Sequence, residues 1–252
     1  MTTTSEELGT LLADAYAKKA VQVNVPAHLE PATGADAYRA QQAFLQRHRL
    51  DIGGWKIGAK TEDGPIQGAP LPGRGIHASP AVLARSDFPV FGIELEIMFR
   101  FGRDFMPGSA AVSEEQVLSS IDSIAASIEI VSSRLTGWPD VPKLNQLADL
   151  QNHGALIAGE FVAYDAGVDF RSPQAQLTLN GRDVFNGAGT NPAGDPRRLL
   201  HWLVGHCNEQ NIALPAGTVV TAGSYTGMVF PEEVGMVVGE IAGLPPVRFE
   251  IT

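Results

Sequence analysis

Three glutamates stand where carboxylate chemistry is worth looking for. Glu94 and Glu96 are separated by one residue in Gly92-Ile-Glu-Leu-Glu-Ile-Met-Phe-Arg-Phe-Gly102, and Glu129 lies inside the apolar run Ser127-Ile-Glu-Ile-Val131. In an extended chain, residues i and i+2 share a face with Cα atoms about 7 Å apart, so the first two carboxylates project the same way. Converging carboxylates repel and raise each other's pKa unless a cation lies between them. A charge at Glu129 is costly among Ile128, Ile130 and Val131 unless it finds a partner. Three oxygen donors completed by water suit Mg²⁺ or Mn²⁺, and the lack of cysteine and scarcity of histidine near them argue against zinc. The competing reading has Glu94 and Glu96 coating a solvated strand face while Glu129 pairs with Arg134. Spacing alone leaves both open.

Two histidines, His77 and His153, are candidate proton-transfer groups because an imidazole titrates near neutrality. Cys207 falls on the apolar stripe of Leu199, Leu200, Leu203 and Val204, which reads as a buried thiol rather than a nucleophile.

The elements that must position these groups follow from periodicity. Residues 92–102 alternate Ile93, Leu95, Ile97, Phe99 and Phe101 with Glu94, Glu96, Met98 and Arg100, which predicts a half-buried strand. Ser113-Glu-Glu-Gln116 is a capping-box pattern, and Val117, Ile121, Ile124 and Ile128 continue it at helical spacing before the strand that carries Glu129. Thr4 with Glu7 caps a first helix and Thr33 to Asp36 opens a second that ends near Arg49. From Gly53 onward Gly and Pro punctuate short apolar runs, and the stretch holding Pro65, Gly68, Pro70, Pro72, Gly73 and Gly75 reads as a long loop, either an active-site wall or a solvated surface loop. Asn180-Gly181 signals a type I′ hairpin. Asp195-Pro196 starts a helix that stops near Asn211, and the segments around 218–223 and 235–239 supply further strands.

Composition bounds the function. The chain has 252 residues, 44% of them apolar and 18% charged, with 27 Gly and 17 Pro, which excludes bulk disorder and favours a loop-rich mixed fold. Lys plus Arg number 18 against 28 Asp plus Glu, a net charge of −10, the wrong sign for gaining affinity from nucleic-acid phosphates. A single cysteine rules out an internal disulfide. The polar, acidic start and the lack of any stretch near the roughly 18 apolar residues of a membrane span predict a soluble, cytoplasmic protein. Such a chain needs a local cation to hold an acidic metabolite.

Read in order, Gly54-Trp-Lys-Ile-Gly58, Ile93-Glu-Leu-Glu96, Ile128-Glu-Ile-Val-Ser-Ser-Arg134, Leu147-Ala-Asp149 and Ala222-Gly-Ser224 resemble the 2-keto-4-pentenoate hydratase family of the fumarylacetoacetate hydrolase superfamily. The combination of the two glutamate motifs is specific, whereas either alone is weak. The resemblance implies an α+β fold: a mixed β-roll or sandwich of the fumarylacetoacetate hydrolase C-terminal-domain type, with flanking helices. It implies one catalytic domain over 1–252, with a helical N-terminal segment at 1–50 and a metal-binding core at 51–252. Glu94, Glu96 and Glu129 then hold Mg²⁺ or Mn²⁺, Lys56 lies in the active site, Ser224 borders the substrate, and Asp149 is the distal acid/base. The implied substrate is a small 2-oxo or 2-hydroxydienoic acid from meta-cleavage of ring compounds, and the assembly is a homo-oligomer. Leu150 stands where the family has Asn, and His153 is added, which leaves the exact reaction open. Hydration comes first, with a 4-oxalocrotonate-type decarboxylase, an acylpyruvate hydrolase and a non-catalytic binder as alternatives. Trp55, Trp138, Phe91 and Phe230 either line the distal pocket or belong to the core.

Overall fold

The structure is a computed structural model that describes residues 3–19 and 21–252. The odd-numbered apolar residues of the strand Gly92–Phe101 all point one way, and Ile93, Leu95, Ile97, Phe99 and Phe101 are at most 1% exposed. Burying each such side chain is worth about 1.5–3 kcal/mol, so this strand organises the core. The strands, in chain order, are β1 (Ile52–Gly58), β2 (Gln67–Pro72), β3 (Ile76–Ala78), β4 (Ala81–Leu83), β5 (Gly92–Phe101), β6 (Ile121–Val131), β7 (His153–Ala158), β8 (Val162–Ala163), β9 (Gln174–Leu179), β10 (Arg182–Ala188), β11 (Val219–Ser224), β12 (Gly235–Ile241) and β13 (Val247–Ile251). An eight-stranded mixed sheet runs β2-β1-β11-β5-β6-β7-β3, with β8 beside β6, and a five-stranded sheet runs β10-β9-β12-β13-β4. The odd face of β5 packs onto the second sheet so closely that a Cβ on Gly239 of β12 would lie 2.5 Å from Leu95.

The larger sheet is rolled. Leu71 of β2, Met98 of β5, Ala125 of β6 and Leu156 of β7 form one buried cluster although they sit on strands that are not all adjacent. Its two ends approach each other, since a Cβ on Gly53 of β1, the strand beside edge strand β2, would lie 3.0 Å from Ile76 of edge strand β3. The even face of β5, with its glutamates, therefore looks into the roll and not at solvent.

Five helices flank the sheets: α1 (Thr4–Ala17), α2 (Gly34–Arg47), α3 (Glu114–Leu118), α4 (Lys143–Ala148) and α5 (Arg198–Glu209). Helices α1 and α2 pack through Leu8, Leu12, Ala40 and Phe44, against Leu135, Leu147 and Leu150. Gly9 permits their close approach, because a Cβ there would lie 2.3 Å from the Ala40 carbonyl oxygen. No helix among the described residues is long and apolar enough to cross a membrane.

Several local expectations hold. The cap of α2 at Thr33 and Asp36 is present, β9 and β10 turn at Asn180 (φ 52°) and Gly181 (φ 76°), and Cys207 is buried on α5. Three do not. The α1 capping box uses Thr3 and Glu6, one residue earlier than the sequence suggested. Helix α3 stops at Leu118, and Ile121, Ile124 and Ile128 lie in β6, a central strand buried on both faces along nearly its whole length. A strand covered on both sides loses its period of two, and its isoleucines then imitate helical spacing. The Gly/Pro-rich stretch is not one loop: residues 67–72 form edge strand β2, where Pro70 and Pro72 cost no ladder bond on the open side.

Candidate active site

The register of the roll assembles the acidic cluster. Glu94 and Glu96 are two residues apart on β5, Glu129 of β6 is the direct cross-strand partner of Glu94, and Ser127 and Ser224 flank Glu96 on either side. One carboxylate oxygen from each glutamate lies within 4.8 Å of the others. Among the described residues no other group of three acidic, histidine or cysteine ligands converges in this way. Glu129 is 0% and Glu96 3% exposed, which removes the solvated-face reading.

Lys56 enters from β1. Its Nζ donates to Glu129 Oε1 at 2.7 Å and to the Gln151 carbonyl at 3.2 Å. His153 Nδ1 lies 3.0 Å from the same Oε1, and the Thr221 hydroxyl donates to Glu96 Oε2. Glu129 Oε2 is buried with no partner. Burial chiefly, then the Glu129 charge, pushes the carboxyl of Glu94 up to about 7 and that of Glu96 up to about 8, with Lys56 pulling the other way. Burial also presses Glu129 upward, but Lys56 and His153 outweigh it and hold Glu129 below the ordinary carboxylate range. Burial disfavours the Lys56 ammonium, yet the three glutamates outweigh it and raise Lys56. Burial, with Lys56 and Arg134 adding to it, lowers His153 despite the opposing Glu129, so the ring is neutral and its Nδ1 proton points at the Glu129 carboxylate.

One ammonium against three carboxylates leaves the roll with uncompensated negative charge. The oxygen-only donor set and the orphaned Glu129 Oε2 fit a hard divalent cation such as Mg²⁺ or Mn²⁺.

Arg134 does not pair with Glu129. Its Nε donates to Asp149 Oδ1 at 2.6 Å and its backbone N–H to Oδ2 at 2.9 Å, while the Ser133 hydroxyl reaches Oδ2 at 3.1 Å. Its remaining nitrogens donate to the carbonyls of Asp149 (2.5 Å), Ser132 (2.8 Å) and His153. Between those carbonyls Leu150, Gln151 and Asn152 all adopt the left-handed conformation, with φ of 49°, 50° and 60°. Non-glycine residues pay strain there, of order 1–3 kcal/mol each, and Arg134 clamps both ends of the turn. The turn delivers the Gln151 carbonyl to Lys56 and His153 to Glu129.

The structure thus brings Lys56, Glu94, Glu96, Glu129 and His153 together, with Ser224 beside Glu96; the Ser224 hydroxyl donates to the Gly227 carbonyl at 3.1 Å. It leaves two candidates outside. Asp149 sits in a buried ion pair with Arg134, both its oxygens accept hydrogen bonds, and burial raises its carboxyl above the ordinary range although Arg134 pulls the other way. His77, on β3 opposite Ile157, makes no hydrogen bond to the cluster and lines a separate cavity. Trp55 and Phe91 belong to the core, whereas Phe230 is 53% exposed, pairs with the Trp138 ring at 6.0 Å and covers Gly92 just before Glu94. Sequence reasoning missed Thr221, the Gln151 carbonyl and the Arg134 clamp. A lone Thr in Val219-Val-Thr-Ala222 was the one available signal, while a backbone carbonyl in a left-handed turn leaves none.

The fumarylacetoacetate (FAA) hydrolase C-terminal family matches residues 69–252. The chain belongs to that family. The chain is 27% identical over 158 residues to a 2-keto-4-pentenoate hydratase of Paraburkholderia xenovorans (strain LB400), covering 63% of this chain and 58% of that protein. It thus spans little more than half the length of this relative. Over 114 residues it is 27% identical to the 4-oxalocrotonate decarboxylase of Pseudomonas sp. (strain CF600), covering 45% of this chain and 43% of that one. The fold matches 4-oxalocrotonate decarboxylase from Pseudomonas putida G7, a structure complexed with magnesium and adipate, with a TM-score of 0.84 at 20% identity, over 98% of this chain and 97% of the other.

Proposed function

We propose that the chain is a metal-dependent hydratase that adds water to a 2-hydroxy-2,4-dienoate and yields a 4-hydroxy-2-oxo acid. The observation that carries this reading is the buried glutamate triad with one oxygen left unpartnered and an ammonium beside it. Similarity to named 2-keto-4-pentenoate hydratases supports the substrate class. Glu94, Glu96 and Glu129 hold Mg²⁺ or Mn²⁺ in this reading. Bound there, the ion supplies positive charge for the acid's carboxylate and Lewis acidity for charge developing on the C2 oxygen. The chain's own groups do the rest. Lys56 keeps its proton, because three carboxylates favour the ammonium, and so acts as a fixed cation and hydrogen-bond donor at the substrate's oxygens. His153 orients Glu129 through its Nδ1–H, and Ser224 borders the place where substrate oxygens lie. Asp149, locked to Arg134, positions the turn and leaves the distal proton transfer to groups the substrate itself can reach.

The whole chain, helical segment included, is read as one catalytic unit, assembled as a homo-oligomer in a cytoplasmic setting. Decarboxylation of a 2-oxo dioic acid is the second reading, favoured by the similarity to the Pseudomonas decarboxylase. A hydrolase needs a His–Glu pair that activates water, and the His153–Glu129 pair is closed off: His153 is 0% exposed with its free nitrogen turned from the glutamates. The test is incubation of the Mg²⁺-loaded chain with 2-hydroxypenta-2,4-dienoate. The dienol absorbance should disappear as 4-hydroxy-2-oxopentanoate forms. Release of CO₂ from 2-oxohex-3-enedioate without hydration moves the assignment to the decarboxylase, and inertness toward every dienoate overturns it.

A further inference from the structure

We propose that the cavity on the far side of His153 is a second binding site, which takes a short organic acid as its carboxylate. The cavity measures about 320 Å³ and lies between the end of α1, β3 and the segment after β6. In a chain of net charge −10, its lining carries Lys19, Arg74 and Arg134 against a single carboxylate, Asp87. Lys19 pairs with Asp87 at 2.5 Å and Arg134 is committed to Asp149, which leaves Arg74 as the available cation. Among the described residues Arg74 makes no ion pair or side-chain hydrogen bond, and its guanidinium is held over the Tyr16 ring, 4.8 Å from the centroid. A cation fixed against an aromatic face is positioned without being neutralised.

The inner end carries an unused polar group. Ser132 lines the cavity, is 2% exposed, and its hydroxyl has no hydrogen-bond partner. Gly75 leaves the wall of the space open, since a Cβ there would lie 3.4 Å from the Tyr16 hydroxyl. Buried polar groups are nearly always satisfied, so a buried hydroxyl without a partner at the wall of this space points to an occupant that satisfies it. The Arg74 guanidinium and the Ser132 hydroxyl are donors, and together they select an oxyanion. Leu83, Phe88, Pro89 and Ala155 supply an apolar wall, which selects an acid with a short hydrocarbon chain over inorganic phosphate.

The site is distinct from the glutamate cluster, because His153 and Glu129, both 0% exposed, stand between them. It is coupled to that cluster through Arg134, which lines the cavity on one side and clamps the turn of Gln151 and His153 on the other. An acid bound there lies against the residue whose guanidinium holds the turn from Asp149 to His153.

The test needs neither metal nor turnover, so it stands apart from the hydratase assignment. Sodium pentanoate is titrated into the full chain in EDTA and followed by ¹H–¹⁵N NMR, with inorganic phosphate and pentanamide as parallel probes. Saturable shifts centred on Tyr16, Gly75 and Ala155 are expected for pentanoate alone. Arg74→Glu, at an exposed position that leaves folding intact, should weaken binding at least tenfold, while Glu96→Gln should leave it unchanged. Absence of saturation, equal binding of phosphate or pentanamide, indifference to Arg74→Glu, or loss of binding in Glu96→Gln each overturns the proposal.

Discussion

Two buried charge centres share one end of the roll, joined by the turn from Asp149 to His153, and they treat their charges in opposite ways. At Arg134 and Asp149 each charged atom has a partner: the carboxylate accepts from a guanidinium, a backbone N–H and a hydroxyl, and the guanidinium's other nitrogens end on carbonyls. At Glu94, Glu96 and Glu129 three carboxylates meet one ammonium, one oxygen has no partner, and two carboxyls are pushed toward neutral pH. Glu96 and Glu129 are as buried as Arg134 and Asp149, and only Glu94 is partly exposed. A buried ion pair that closes its own account of hydrogen bonds is structural, whereas one left open is poised for a ligand.

That contrast can be broken first at its closed member. Arg134→Ala strands a buried carboxylate and releases the left-handed turn, so it should destabilise the chain by about 3–5 kcal/mol in denaturant melts. A change under 1 kcal/mol would show that the pair is not the anchor described. The open member should respond with the other sign. Glu96→Gln removes a repelling charge and keeps the hydrogen bond from Thr221, so without metal at pH 8 it should stabilise the fold by on the order of 2 kcal/mol.

The pH dependence sharpens the same point. Unfolded glutamates release their protons near 4.5, whereas in the fold Glu94 and Glu96 hold theirs up to about 7 and about 8. The folded chain therefore binds more protons over that window, and metal-free stability should fall as pH rises from about 4.5 to about 8. Thermal melts in EDTA check this, and the Glu94→Gln, Glu96→Gln double variant should flatten the profile. The smallest effect belongs to Ser133→Ala, which removes one of several bonds to Asp149 and should cost about 1 kcal/mol without touching metal affinity.

The sequence made the open centre easier to see than the closed one. Glu94 and Glu96 stand out because β5 has one face on the core and one in the roll, so alternation marks the polar side. The Asn180-Gly181 turn and the α2 cap were readable because their signals are local. β6 was half hidden, since burial on both faces erased its period, and β2 was hidden by prolines that an edge strand tolerates. The pairing of Asp149 with Arg134 was hidden, because nothing local says that Arg134 folds back onto it. His153 was legible only as an imidazole; its contact with Glu129 depends on a turn of three left-handed residues that no propensity favours.

The central claim is that the three glutamates form a metal centre, and calorimetric titration of Mn²⁺ into the metal-free chain at pH 8 tests it most directly. One ion per chain is expected, with affinity lost in Glu96→Gln and in Glu129→Gln but kept in Ser133→Ala. Mn²⁺ binding of unchanged affinity and stoichiometry in both glutamate variants would contradict the account.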